Sequence, residues 1–389
     1  MARKRRIFKK NKAIKVKFIP YGRQYIDQDD IDAVSDTLQS DFLTQGPKIP
    51  EFEKKISDYC GAEYVVAVSN ATAGLHLAAL ALLDKGDKVL TSPNSFLATS
   101  NAIIYAQAQP IFVDISENGN IDLDLCEEEL KKDPSIKAIF VIAMTGHMVD
   151  QKKLKYIRET YDILIVEDCA HAIGASDNLV KAGSCTYSDC TIFSFHPVKL
   201  ITTGEGGAIT TNSERIYKKL LMLRSHGMIK DKSMDPWEYE MRDLGFNYRI
   251  TDLQCALGIT QIKKLDSFIE KRVKIAKKYD LLFENSLIRP LYRYNGKSSY
   301  HLYVVQVDFD NLNISKAELF IKMKNENIGL QVHYIPINKQ PYYQSLGYGK
   351  ESTPVMDRYY AKSFSIPMYP LLLDGEQEYI VDTLKGMIK

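Results

Sequence analysis

Between about residues 60 and 225, short apolar runs alternate with stretches of helical periodicity, the pattern of βαβ units wound around a mainly parallel sheet. Seven runs predict strands: Tyr64–Val68, Lys88–Thr91, Pro110–Val113, Ala138–Ile142, Ile163–Val166, Thr191–Phe195 and Gly207–Thr211. Each is short, rich in β-branched or aromatic residues and bounded by turn formers. Between them, Thr72–Leu83 is apolar nearly all round and predicts a buried helix, whereas the charges of Gln151–Tyr161 predict a solvated face. After Asn247–Gly258 the texture changes to a long charged helix over Ile262–Phe283, a strand over His301–Val307, a helix over Lys316–Asn327 and a short strand near Leu330–His333. The expected organisation is a large α/β domain over 18–265 with a seven-stranded, mainly parallel sheet, and a smaller α/β domain over 266–389.

Composition removes several other classes. Apolar residues make up 45% of the 389 and charged residues 26%, as in ordinary globular chains. The longest apolar run, Leu77 to Leu83, is far short of the roughly 20 residues a membrane-spanning helix needs. The N-terminus is basic but lacks the apolar stretch and small-residue cleavage site of a secretory signal, so a cytoplasmic location is expected. Residues 1–17 hold nine Lys or Arg and no acid; the other 372 residues therefore carry a net −7 against +2 for the whole chain. That basic stretch is expected to be a solvated extension rather than a contact for nucleic acid or membrane. The six cysteines, Cys60, Cys126, Cys169, Cys185, Cys190 and Cys255, form no C-x-x-C pair and are expected to be reduced thiols. Cys185 and Cys190 have no second ligand pair at matching spacing, so no metal is expected.

In open α/β sheets ligands bind at the carboxyl ends of strands, where loops and helix N-termini present backbone N–H groups. Three polar motifs fall at such ends. The run Ile163–Val166 leads into Glu167-Asp168-Cys169-Ala170-His171. A carboxylate there can hold a cationic partner and keep a pyridine nitrogen protonated, or can serve as a simple turn acid. The run Thr191–Phe195 leads into Ser194-Phe195-His196-Pro197-Val198-Lys199 and then Thr202-Thr203-Gly204-Glu205-Gly206-Gly207. A lysine that is desolvated beside such a bend loses its proton more readily, and a neutral amine can attack an aldehyde. Third, Ser69-Asn70-Ala71-Thr72-Ala73-Gly74 lies between a strand and a helix and forms either a phosphate cup or an ordinary N-cap.

In their order and wording these motifs resemble the DegT/StrS family of sugar aminotransferases, from about Pro20 to the C-terminus. The resemblance implies the aspartate-aminotransferase fold, pyridoxal 5'-phosphate, and transfer of an amino group, with glutamate as donor, to a nucleotide-linked keto-sugar. Residue by residue it implies that Lys199 bonds covalently to the cofactor and Asp168 partners its ring nitrogen. His171 falls at a position that contacts the ring or its phenolate. Ala71, Thr72, Ala73 and Ser194 fall at phosphate-side positions, and Phe96 in N-S-F-L-A-T matches an aromatic stacked on the ring. Asn247 in G-F-N-Y-R matches a residue that reaches the neighbouring subunit's cofactor, which implies a homodimer with shared active sites. The stretches P-Y at 20–21, F-L-T-Q-G at 42–46 and Q-V-H-Y-I-P at 331–336 imply substrate contacts from Tyr21, Thr44, His333 and Tyr334. Relatives that carry His in place of the lysine are dehydratases, so Lys199 favours transamination. Two rivals stay open: the same chemistry on a GDP- or dTDP-sugar, and a cofactor-binding regulator whose basic extension contacts nucleic acid.

Overall fold

A computed structural model describes residues 17–231, 233–293 and 296–388. The basic extension therefore lies outside the described residues except for Lys17. Seven strands form the main sheet: β1 Tyr64–Val68, β2 Lys88–Thr91, β3 Gln109–Phe112, β4 Ile136–Ile142, β5 Leu164–Asp168, β6 Cys190–Ser194 and β7 Gly207–Thr211. Their order is β1-β7-β6-β5-β4-β2-β3, and every pair is parallel except the two that β7 makes with β1 and β6. The predicted α/β class and all seven strands are present, each within two residues of its expected bounds at either end.

Helices cover both faces. The predicted buried helix is α3, Ala71–Leu82; α1 is Gln28–Leu38, α2 Lys48–Cys60, α4 Leu97–Tyr105, α5 Leu123–Lys132, α6 Gln151–Tyr161 and α7 Glu214–Arg224. One apolar cluster packs α3 and α4 onto one face of the sheet through Leu75, Leu77, Ala78, Val166 and Ile192. A second cluster joins α2 to the other face through Phe52, Ile56, Phe193 and Phe195. The helix α3 comes very close to the sheet, because a Cβ on Gly207 would lie 2.7 Å from the Ala71 nitrogen. Only glycine at the start of β7 admits the helix N-terminus at that distance.

The long helix, α8, runs over Asp252–Phe283 and starts ten residues before its predicted beginning. A capping box closes its first turn, with the Thr251 hydroxyl receiving the Gln254 amide and the Gln254 side chain receiving the Thr251 amide. α8 is shared by two cores: Leu265, Phe268 and Ile269 pack on the main sheet, while Ile275, Ala276, Tyr279 and Phe283 belong to a cluster with Tyr303, Val305 and Phe364. That second cluster surrounds a three-stranded antiparallel sheet of Arg289–Pro290, Tyr303–Gln306 and Ser363–Ile366. The strand expected near Leu330–His333 is reduced to one bridge, Gln331 to Ser365. That bridge sets the stretch at the outer edge of Ser363–Ile366, whose Ser365 and Phe364 are fully covered. Ile19, from the start of the described chain, also packs in this cluster and bridges to Ile328. All six cysteines are buried and unpaired. No helix among the described residues is long and apolar enough to cross a membrane.

Candidate active site

Because only β7 is reversed, β1, β5 and β6 bring their carboxyl ends to the same edge of the sheet. A cavity of about 720 Å³ opens there. It gathers Tyr21, Ala71, Thr72, Phe96, Asp168, His171, Ser194, Lys199, His333 and Tyr334, drawn from six separate stretches of the sequence.

Asp168 is the last residue of β5. Alternation along the strand turns it into the cavity, while its neighbour Glu167 points to the opposite face, held by Gln151 at 2.9 Å and Ser188 at 2.8 Å. The two oxygens of Asp168 are both engaged: Oδ2 accepts from the Thr99 hydroxyl at 2.6 Å and Oδ1 from the Ala170 amide at 3.0 Å. Burial pushes this carboxyl above its usual range, against the opposing pull of Thr99, the Ala170 amide and the Lys199 ammonium. A cation in the cavity would complete its surroundings.

Lys199 is partly buried in the loop after β6, and its ammonium has no hydrogen-bond partner among the described residues. Desolvation lowers its pKa to about 8, with Asp168 acting in the opposite sense. Around it lie three imidazoles held neutral. His171 is pushed well down by burial and then by Lys199 and His333; His301 likewise by burial and then by His171 and Lys199; His333 drops to about 3, by burial and then by Lys199. The rings of His171 and His301 are 4.4 Å apart, and His171 Nε2 lies 3.1 Å from the Tyr334 hydroxyl. His333 Nδ1 is 2.8 Å from the Ser365 hydroxyl, and Tyr21 packs on its ring at 5.4 Å.

At the N-terminus of α3 Asn70 is the cap, its side chain accepting the Ala73 amide at 2.8 Å. Ala73 is thus occupied by the cap and does not line the cavity. The amides of Ala71 and Thr72, first in the helix, have no intrahelical acceptor and carry the positive end of the helix dipole. Phe96 sits at the cavity mouth with 59% of its surface exposed, an unusual position for a large apolar ring unless something covers it.

Besides Ala73, two expected site residues stay outside the cavity of their own chain. Thr44 is exposed and bridges to Thr251. Asn247 is exposed and bridges to Ser225, and its side chain has no hydrogen-bond partner among the described residues. Three residues that the sequence reading left unassigned belong to the site: Asn70, Thr99 and His301. Asn70 and Thr99 stood inside the quoted motifs, whereas no spacing pointed to His301.

The donor set suits a phosphorylated aldehyde with a basic ring. One cavity joins the free helix amides of Ala71 and Thr72, the Asp168 carboxylate held by Thr99 and Ala170, and an amine of lowered pKa. Among the described residues no group of three or more His, Cys, Asp or Glu could hold a metal ion.

Comparison with known proteins agrees in extent and kind. The model of the DegT/DnrJ/EryC1/StrS aminotransferase family matches residues 24–385. The UDP-4-amino-4,6-dideoxy-N-acetyl-beta-L-altrosamine transaminase of Campylobacter jejuni is 38% identical over 374 residues, covering 95% of this chain and 98% of its own. Among solved structures, Helicobacter pylori PseC, an aminotransferase involved in the biosynthesis of pseudoaminic acid, superposes with a TM-score of 0.90 at 29% identity, over 95% of this chain and 99% of that one. A putative sugar aminotransferase of Streptococcus pneumoniae, solved in its PMP form, gives a TM-score of 0.87 at 29% identity, over 95% of this chain and 98% of its own.

Proposed function

The chain belongs to the DegT/DnrJ/EryC1/StrS aminotransferase family, and on that premise we propose that it moves an amino group from glutamate to carbon 4 of a UDP-linked 4-keto-6-deoxy sugar. The product in this reading is UDP-4-amino-4,6-dideoxy-N-acetyl-β-L-altrosamine, the compound in the name of the Campylobacter jejuni relative. The observation that carries the proposal is one cavity that joins the Lys199 amine, lowered to about pKa 8, and the buried Asp168 carboxylate to the unpaired amides of Ala71 and Thr72.

Bound pyridoxal phosphate supplies an aldehyde that takes up the donor's amino group and a protonated ring that stores an electron pair. Ala71, Thr72 and the Ser194 hydroxyl hold the phosphate, and Phe96 covers one face of the ring. Asp168, fixed by Thr99 and Ala170, keeps the ring nitrogen protonated. Lys199 would hold the cofactor through its Nζ, and the same amine, when free, would carry the proton at the reacting carbons. Tyr21, His333 and Tyr334 line the same cavity and take the sugar nucleotide.

The same reading makes the enzyme a homodimer in which Asn247 and Thr44 serve the partner's cavity. Its support is the exposed apolar set Phe42, Phe96, Trp237, Met241 and Leu244, which a second copy would cover. The enzyme then works in the cytoplasm, where six unpaired thiols stay reduced.

Incubation with glutamate and a panel of UDP-, GDP- and dTDP-linked 4-keto-6-deoxy sugars, with products read by mass, tests the assignment. Amination of the UDP-N-acetyl sugar before all others is expected. Preference for a GDP or dTDP acceptor overturns the substrate, and failure on every keto-sugar by protein with cofactor bound overturns the activity.

A further inference from the structure

Asn247 stands in a short extended segment whose flanking side chains face the other way. Phe246 and Tyr248 stack on each other, centroids 4.9 Å apart and 13° from coplanar, and both turn toward α3. Alternation along an extended chain therefore sends Asn247 outward, away from its own cavity. The segment is tied down on both edges: the Tyr248 carbonyl accepts the Ser69 amide at 2.9 Å, the Tyr248 amide reaches the Arg224 carbonyl at 3.1 Å, and the Phe246 amide reaches Leu223 at 2.7 Å.

His76 of α3 meets this segment with both its ring and a hydrogen bond. Its ring is buried and lies 4.8 Å from Phe246, 5.9 Å from Tyr248 and 5.2 Å from Tyr105. Its Nδ1 is 3.1 Å from the Tyr248 hydroxyl. A leucine would fill this apolar pocket without desolvating an imidazole, so the polar atom has a use, and the hydroxyl of Tyr248 is the partner it meets.

We propose that His76 is a positioning residue for Asn247, and through it for the cofactor site of the partner subunit. The helix α3 then serves two sites at once. Its first two amides face the cavity of its own chain, and its second turn, through His76 and Tyr248, sets the arm that reaches the other. This inference rests on the reading above in which Asn247 acts across a two-fold interface.

The test uses subunit mixing with cofactor affinity as the readout, followed by the absorbance of lysine-bound pyridoxal phosphate. A Lys199→Ala chain is silent in that signal, so a heterodimer reports only the site of the chain that keeps Lys199. The His76→Leu homodimer should bind cofactor about tenfold more weakly than the unaltered protein, as expected for losing one hydrogen bond and the ring packing that orders the arm. Pairing His76→Leu with Lys199→Ala should restore full affinity, because the reporting site then receives Asn247 from a chain whose His76 is intact. An Asn247→Ala and Lys199→Ala pair run alongside tests the underlying reading by the same logic. Restoration of that control without restoration of the His76 pair overturns the role of His76 and leaves the role of Asn247 standing. Failure of the control removes the cross-subunit reading and this inference with it. Should His76→Leu not fold, Tyr248→Phe removes only the hydroxyl. It should weaken affinity in the same direction and speed amide exchange over residues 245–249 in cofactor-free protein, and no change in either quantity overturns the proposal.

Discussion

The pKa of Lys199 sets what the cofactor-free protein can do at neutral pH. With the value near 8, about a tenth of the amine is neutral at pH 7, against a few parts in ten thousand for an ordinary lysine. The sign is that of a cation disfavoured by burial: the reactive neutral form grows as pH rises through 8 and is complete above it. The rate at which cofactor-free protein captures pyridoxal phosphate should therefore climb to a plateau with a midpoint near pH 8. A midpoint near 10 would mean that the desolvation is lost in solution. Asp168→Asn should fold and bind cofactor but lose roughly a hundredfold in turnover, about 2.7 kcal/mol of barrier, because an amide cannot hold the ring nitrogen protonated. Thr99→Val should lose less and share the same signature, a shift in the absorbance pH profile of the bound cofactor, since it removes only the 2.6 Å bond that fixes the carboxylate. Near-normal turnover in Asp168→Asn with cofactor bound would return this acid to a structural role. Asp168 and Lys199 were legible in the sequence because each follows a strand directly, and strand ends are where open sheets bind ligands. His301 was not: it reaches the site from the small sheet, more than a hundred residues along the chain from its ring partner His171, and no local pattern encodes that pairing.

At the level of elements, the phosphate cup depends on how closely α3 approaches β7. Gly207→Ala sets a Cβ against the Ala71 nitrogen and the Asn70 carbonyl carbon, both 2.7 Å away, so the helix N-terminus must move. The expected cost is about 1–3 kcal/mol in stability. Affinity for pyridoxal phosphate should fall more than affinity for pyridoxal, which lacks the phosphate. Equal loss for both ligands would show that the shift spreads beyond the cup. Strands of the main sheet could be read from their β-branched runs because both faces are buried and the signal is continuous. The start of α8 was harder, since Asn247–Gly258 is neither charged nor periodic enough to stand out, although Thr251-x-x-Gln254 is a legible capping box. The stretch near Leu330–His333 has the composition of a strand, but His333 and Tyr334 line the cavity, and the stretch pairs with its neighbour Ser363–Ile366 only at Gln331.

Across the whole molecule the two cores meet at Arg272. This side chain is fully buried in α8, and one of its nitrogens donates to the carbonyls of Tyr300, His301 and Met368 at 3.2, 3.2 and 2.9 Å. It thereby fixes the segment that delivers His301 to the cavity. Arg272→Ala leaves a void and three carbonyls without their donor, and about 3 kcal/mol of unfolding free energy should disappear in urea titration. A loss below about 1 kcal/mol would mean that the carbonyls find other donors.

The sharing of α8 between the two cores also bears on whether this chain can be taken apart. At 1.5 Å per residue its 32 residues form a rod about 48 Å long, anchored at both ends in different hydrophobic clusters. A cut at residue 265 would sever that rod in mid-span and leave Phe268 and Ile269 on the wrong fragment for the main sheet. The halves are thus not interchangeable modules: grafting a new small lobe onto this scaffold means replacing it beyond residue 283, or inheriting the rod with it. The rod acts as an axle rather than a hinge, and chemical denaturation should melt both lobes in one cooperative step, with tyrosine signals of the small lobe and the near-ultraviolet signal of lysine-bound cofactor lost at the same midpoint.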